Sequence, residues 1–86
     1  MRMIVQETSG EGLEAFLGKP ICLFCMNYIY AGTLVGINDT CVKLSDAKLV
    51  YETGPFGDKE YKDAQSLPGD VHYVQLTAIE SFGAGK

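Results

Sequence analysis

The sequence predicts a mainly β fold in which one short N-terminal helix precedes a five-stranded, strongly bent antiparallel barrel. Strand-like segments follow one another without intervening helices, so no parallel crossover unit is expected. Gly32 lies inside a strand pattern, where a glycine marks a sharp bend or a close approach of two backbones. The apolar residues of the longest strand also change phase along it, as they do at the corner of a barrel.

A short helix is predicted over residues 9–17. Thr8 and Glu11 have the spacing of a capping box, and Gly18 suits a left-handed stop. The apolar stripe between these two signals consists of Leu13, Phe16 and Leu17. A helix of this length is unstable alone, so we expect its stripe to cover one open end or face of the barrel.

The five predicted strands cover residues 20–26, 29–37, 40–53, 71–76 and 78–82. Asn38 and Asp39 indicate a tight turn between the second and third strands, because both side chains tolerate left-handed backbone and bond nearby amides. A bend is expected near residues 45–47, where apolar positions change from even to odd numbers. Residues 54–70 are predicted to form a long polar loop, and residues 83–86 are expected to fray.

The second predicted strand carries a pattern that defines the fold. Its alternate residues point to one side of the strand. The pattern resembles the first motif of the Sm, LSm and Hfq family, in this chain Tyr30, Gly32, Leu34, Ile37 and Asn38. Ala78-Ile79 is similar to the Ala-Ile that follows the Lys-His pair of bacterial Hfq. The resemblance covers about residues 8–82, is greatest to uncharacterised phage-type Sm-like proteins, and implies an SH3-like, Sm-like barrel.

The resemblance further implies a homo-oligomeric ring of about five to seven subunits. In the family, the fourth strand of one subunit pairs with the fifth strand of the next. The interface residues implied for this chain are Val71, Tyr73, Val74, Ile79 and Phe82. Such pairing is physically reasonable, because an unpaired apolar edge strand is a template for another strand.

The resemblance also implies binding of single-stranded RNA by two loops near the pore. The residues implied are Asn38, Asp39, Thr40, Leu76 and Thr77. However, the base-binding Asn of the family falls at Val42, the stacking aromatic at Thr40, and the Lys-His pair at Leu76-Thr77. Stacking contributes about 1–3 kcal/mol per base, so the missing platform weakens the RNA interpretation.

The alternative hypothesis is a ring-shaped protein–protein scaffold that has lost RNA binding. Its contact element would be the loop over residues 54–70, with Phe56 and Tyr61 as anchors, since aromatic residues dominate small contact sites. The net charge of -4, with only 7 Lys and Arg, favours the scaffold because binding to phosphates requires clustered cations. The family precedent favours RNA.

The remaining composition predicts one globular domain, residues 1–86, that is 47% hydrophobic and 21% charged. No signal peptide or spanning helix is predicted, so we expect a cytoplasmic protein without a membrane partner.

No enzyme activity, cofactor or metal site is predicted. Cys22 and Cys25 have CxxC spacing, but side chains three apart on a strand point to opposite faces and cannot chelate one ion. They and Cys41 are therefore expected to be reduced thiols in the core. His72 is the only histidine, and a structural or surface role is expected for it.

Overall fold

The structure is a computed structural model that describes residues 11–86. Over these residues the chain forms one antiparallel sheet and two short 3₁₀ helices, which confirms the mainly β antiparallel prediction. The strands are β1 (Pro20–Cys25), β2 (Ile29–Ile37), β3 (Cys41–Glu52), β4 (Asp63–Ser66), β5 (Val71–Gln75) and β6 (Ile79–Ala84).

The long strand β3 lies at the centre of the hydrogen-bonding pattern. One of its edges pairs with β2, and the other pairs first with β5, through residues 41–45, and then with β4, through residues 48–52. Strand β1 pairs with β2 and β6, so the sheet runs β4-β3-β2-β1-β6 with β5 off this path. Within residues 11–86 no ladder joins β5 to β6, and the sheet is open between them.

A β-bulge bends β3 at the position where its outer partner changes. Ser45 pairs with Thr33 and Lys48 with Ala31, so β3 has one more residue than β2 in this stretch. Asp46 lies in the bulge with a φ of 50°, a left-handed conformation. Such an insertion bends a strand and increases its local twist. The predicted bend near residues 45–47 is therefore confirmed.

The core lies on one face of the bent sheet and draws on β1, β2, β3 and β5. Its buried side chains are Ile21, Leu23, Leu34, Val42, Leu44, Ala47 and Val74. Even-numbered residues of β3 face this core before the bulge, and Ala47 faces it afterwards, as the change of phase predicts. Leu13 and Phe16 cover part of the core from the N-terminal side, as expected for the apolar stripe, whereas Leu17 is exposed.

Gly32 lies where β2 passes closest to the bulge. A Cβ atom at this position would lie 2.8 Å from the Ser45 carbonyl oxygen and 3.3 Å from the Ala47 Cα. Both neighbours are backbone atoms, which cannot rotate away as a side chain can. On the core side of the same strand, Tyr30 is half-buried and Leu34 is fully buried. The absence of a side chain at Gly32 therefore permits the two strands to approach.

The helix prediction requires correction within the described residues. The structure has a 3₁₀ helix, Gly12–Phe16, and Thr8 with the first part of the predicted 9–17 span lies outside the described residues. Gly12 has a φ of 64°, which a right-handed α-helix cannot accommodate, so the helical segment is short. No helix within residues 11–86 has the length and apolar character needed to cross a membrane.

Two further predictions about the second half of the chain are wrong. Residues 54–70 are not entirely loop, because β4 (Asp63–Ser66) pairs with the second half of β3 and brings the number of strands to six in residues 11–86. Residues 83–86 do not fray: β6 continues to Ala84, and the Gly85 N–H donates to the Pro20 carbonyl oxygen at 3.1 Å. In both places, pairing with a distant strand overrides a weak local preference.

We expect Gly32→Ala to lower the free energy of unfolding by about 1–3 kcal/mol, because the new methyl group would overlap backbone atoms of the bulge. The measurement is urea unfolding followed by circular dichroism. Gly36→Ala is the matched control on the same strand, because its Cβ would lie 3.4 Å from the Lys43 Cβ, an ordinary contact. Equal stability of the two variants would contradict the close-approach argument.

Candidate functional site

The two loops that the family resemblance assigns to RNA binding lie side by side. The Leu76 N–H donates to the Thr40 carbonyl oxygen at 2.9 Å, and Cys41 pairs with Gln75 at the adjacent position of the β3–β5 ladder. The second 3₁₀ helix, Leu76–Ala78, makes the turn between β5 and β6. Asn38, Asp39, Thr40 and Thr77 are exposed around this contact, while Leu76 is half-buried against the core.

The side chain of Asn38 holds the β2–β3 turn together. Its Oδ1 accepts hydrogen bonds from the Thr40 N–H at 2.8 Å, the Thr40 hydroxyl at 3.1 Å and the Cys41 N–H at 2.8 Å. The Asn38 N–H also donates to the Cys41 carbonyl oxygen at 3.0 Å. The predicted turn is thus confirmed, and the amide oxygen of Asn38 is fully engaged in it. Only the amide NH₂ of this side chain is left for a ligand.

The charge of the paired loops does not suit phosphate. Asp39 is exposed and is the one ionisable residue in positions 38–40 and 76–78, so these loops contain a carboxylate and no cation. Val42, at the position of the family's base-binding Asn, is fully buried in the core. The loops therefore offer hydrogen-bonding groups but neither a stacking ring nor a positive charge.

The residues predicted to form the subunit interface fall into two groups. Tyr73 is 57% exposed and Phe82 is 39% exposed, whereas Val74 is a core residue only 4% exposed. Val71 and Ile79 are half-buried, and Ile79 packs against the core. The Phe82 ring also contacts Phe16 edge to face, with 6.1 Å between centroids. Among the predicted interface residues, the exposed aromatic side chains are thus Tyr73 on β5 and Phe82 on β6.

The loop between β3 and β4 is ordered around Lys86, a residue that sequence analysis missed. The Lys86 ammonium donates to three backbone carbonyl oxygens of this loop, those of Thr53, Pro55 and Glu60. Phe56 is 57% exposed, and its ring packs against the Phe24 ring of β1 with 6.4 Å between centroids. No local signal indicates this tether, since the contacts join residues that are far apart in the chain.

A buried thiol lies beneath the same loop. Cys22 is fully buried, as expected, but it lies outside the core cluster, because strand alternation places it on the face of β1 opposite Ile21 and Leu23. The Lys86 backbone N–H donates to the Tyr61 hydroxyl oxygen at 3.2 Å, and Tyr61 lies close enough to the Cys22 thiol to influence its ionisation. Burial raises the pKa of Cys22 above its ordinary value of 9.0, against the smaller opposing effects of Tyr61 and the Lys86 charge.

The other residues singled out by their chemistry have packing roles. All three cysteines are free, and burial followed by the proximity of Cys22 raises the pKa of Cys25. The His72 ring stacks on Tyr30 with 5.5 Å between centroids and 26° between planes. Residues 11–86 contain no group of three or more His, Cys, Asp or Glu side chains that could hold a metal ion.

Comparison with known proteins finds no matching family, no matching curated protein and no matching solved structure. The resemblance to the Sm, LSm and Hfq family therefore remains a prediction drawn from the residues themselves.

We expect the free energy of unfolding to be constant near neutral pH and to fall as the pH rises through about 9 and beyond. Burial is the largest effect that raises the pKa of two thiols and two phenols, those of Cys22, Cys25, Tyr30 and Tyr61. A raised native-state pKa means that the protonated form of the group favours the native state. The contribution of these groups to the free energy of unfolding is therefore fully present below the unfolded-state pKa values of 9.0 for thiols and 10.0 for phenols. That contribution is lost as the pH rises through the higher native-state values.

Urea unfolding at a series of pH values measures this loss. In Cys22→Ala the dependence on pH should be shallower than in the wild type, whatever the absolute stability of the variant. A free energy of unfolding that stays level up to about pH 10.5 would contradict the raised pKa values of these fully or partly buried groups.

Proposed function

We propose that this chain is an Sm-like barrel that assembles into a homo-oligomeric ring and serves as a protein scaffold. The connection of the strands supports the barrel. Strands β5 and β6 pair with opposite parts of the sheet, β5 with β3 and β6 with β1, yet only the 3₁₀ helix Leu76–Ala78 separates them in the chain. The two ends of the sheet are therefore held one short turn apart, with Val74 and Ile79 on either side both packed against the same core.

The observation that carries the proposal is the pair of free strand edges on β5 and β6. Within residues 11–86, β5 pairs only with β3 and β6 only with β1, so each leaves one edge without a partner. These two strands also carry the exposed aromatic residues Tyr73 and Phe82. An unpaired edge with apolar side chains is a template for another strand.

Two different edges on one subunit favour a ring over a two-fold dimer. If the β5 edge of one copy pairs with the β6 edge of the next, the contact is head-to-tail. The first copy then still has a free β6 edge, and the second copy a free β5 edge. A head-to-tail contact repeats until the rotation between copies closes it, and closure removes every free edge. We propose about five to seven subunits per ring.

The loop over residues 53–62 supports a role in contacting another protein. Hydrogen bonds from the Lys86 ammonium hold the backbone of this loop in place, while the side chain of Phe56 is 57% exposed. A rigid loop that exposes an aromatic side chain loses little conformational entropy when it binds. In the proposed ring, each subunit would present one copy of this loop, which multiplies a weak individual contact.

We expect the wild-type chain to have a mass of about five to seven times its 9.4 kDa by native mass spectrometry and light scattering. Tyr73→Glu should shift the distribution to the monomer, because it places a charge on the proposed β5 edge while remaining compatible with Lys43 across the strand pair. Tyr51→Glu is the matched control, since Tyr51 is 55% exposed on β3 but lies away from both free edges.

A monomeric wild-type chain at micromolar concentration would refute ring assembly. Equal dissociation by Tyr73→Glu and Tyr51→Glu would place the interface elsewhere.

Single-stranded RNA binding is the second candidate, and the contact between the two loops is the observation that favours it. The hydrogen bond from Leu76 to Thr40 brings together the segments that the family resemblance assigns to RNA. The exposed groups beside this contact are Asp39, Thr40, Thr77 and the amide NH₂ of Asn38. In a ring, these groups would recur once per subunit.

If RNA binds at these loops, Asp39→Asn should tighten the binding of oligo-U several-fold, because the substitution removes an exposed negative charge near the phosphates. Fluorescence anisotropy with labelled oligo-U and oligo-A at low and moderate salt measures the affinity. Asp58→Asn provides a control at an exposed carboxylate outside these loops. The absence of saturable binding by wild type and Asp39→Asn would reject RNA and leave the scaffold.

A further inference from the structure

Three backbone carbonyl groups of the β3–β4 loop converge on a single point. The Lys86 Nζ occupies that point and lies 2.6 Å from the Thr53 oxygen, 2.8 Å from the Pro55 oxygen and 3.0 Å from the Glu60 oxygen. The Thr53 carbonyl also accepts the Lys62 N–H at 3.3 Å, which closes the base of the loop. Converging carbonyl dipoles repel one another unless a cation or donor lies between them.

Two aromatic rings complete the enclosure. The Lys86 Nζ lies 5.5 Å from the centroid of Phe56 and 5.1 Å from that of Tyr61. These distances are within the range in which a ring face attracts a cation. A primary ammonium has three N–H donors, which equals the number of carbonyl acceptors, whereas a planar guanidinium presents its donors in a fixed fork. The geometry thus matches an alkylammonium.

We propose that the backbone carbonyl groups of Thr53, Pro55 and Glu60 and the rings of Phe56 and Tyr61 form a binding site for a primary alkylammonium group, which Lys86 fills in cis. The ligand class is therefore a lysine side chain or another primary amine of similar length. The carbonyl groups accept directional hydrogen bonds, and the faces of the two rings attract the positive charge. The site therefore selects a ligand that is both positively charged and able to donate three hydrogen bonds. This site is separate from the proposed ring edges and from the paired loops.

The site has a direct structural consequence for Cys22. Tyr61 flanks the ammonium and also lies beside the fully buried Cys22 thiol, so the occupied loop covers this sulfur atom. Beside it lies a cavity of about 110 Å³ whose lining includes Tyr61, Lys86, Gly32 and Asp46. Loss of the ammonium leaves the carbonyl groups without their shared donor, and the loop then opens over Cys22 more often.

Lys86→Ala with chemical rescue tests the site. Iodoacetamide labelling, resolved by mass spectrometry, gives separate rates for Cys22, Cys25 and Cys41. In Lys86→Ala the rate at Cys22 relative to Cys41 should rise about tenfold or more, because several charge-assisted hydrogen bonds are lost. Added n-propylammonium, which replaces the deleted carbons and the ammonium, should restore protection, whereas 1-propanol should not.

Two variants separate charge from packing. Lys86→Met keeps the length of the side chain without its charge and should expose Cys22 as Lys86→Ala does. Lys59→Met removes an exposed lysine from the same loop and should leave the labelling rate unchanged. Protection of Cys22 in Lys86→Met, or equal rescue by 1-propanol, would overturn the proposal in favour of simple packing.

A direct binding measurement covers the possibility that Lys86→Ala unfolds more widely. Amide chemical shifts of residues 53–61 in Lys86→Ala should change saturably as n-propylammonium is added, with smaller changes for guanidinium. Shifts that grow linearly without saturation, or that are the same for 1-propanol, would show that no ammonium site exists.

Discussion

The close passage of β2 over the β3 bulge is the constraint on which the rest of this fold depends. With no side chain at Gly32, the strands can approach until the Ser45 carbonyl oxygen lies 2.8 Å from the position a Cβ atom would take. The bulge at Asp46 then rotates β3, so that Leu44 before it and Ala47 after it share one core. The same rotation directs the outer edge of β3 toward β5 on one side and β4 on the other.

The parts of the fold that sequence predicts are those encoded by short-range chemistry. The antiparallel β class, the turn at Asn38 and the bend near Asp46 each depend on residues within a few positions of one another. Strand β4 was not predictable in this way, because Asp63–Ser66 has no β-branched or aromatic residue and pairs only because β3 leaves an edge free. The Lys86 tether is likewise a product of tertiary contact, since nothing near Lys86 in the sequence signals it.

The candidate site shows the same division. The sequence resemblance assigns two loops to one site, and in the structure these loops are in contact through the hydrogen bond from Leu76 to Thr40. The resemblance could not specify the contacts of each side chain. The Asn38 Oδ1 accepts hydrogen bonds from within its own turn, and the Val42 side chain is buried in the core. The polar, acidic loop pair lacks the cations and rings that bind nucleic acid, whereas β5 and β6, each with one edge unpaired among residues 11–86, carry exposed aromatic side chains of the kind that join proteins.

The pairing of β1 with β6 joins the two paired strands that lie farthest apart in the described chain. β2 and β3 are joined by a short turn and meet after a small search, whereas Ile21 must find Ala84 across nearly the whole chain. Closing so long a loop is entropically unfavourable until the intervening strands are in place. We therefore expect the β1–β6 ladder to form late, so that one edge of β1 stays unpaired in a nascent chain until residues 79–84 have been synthesised.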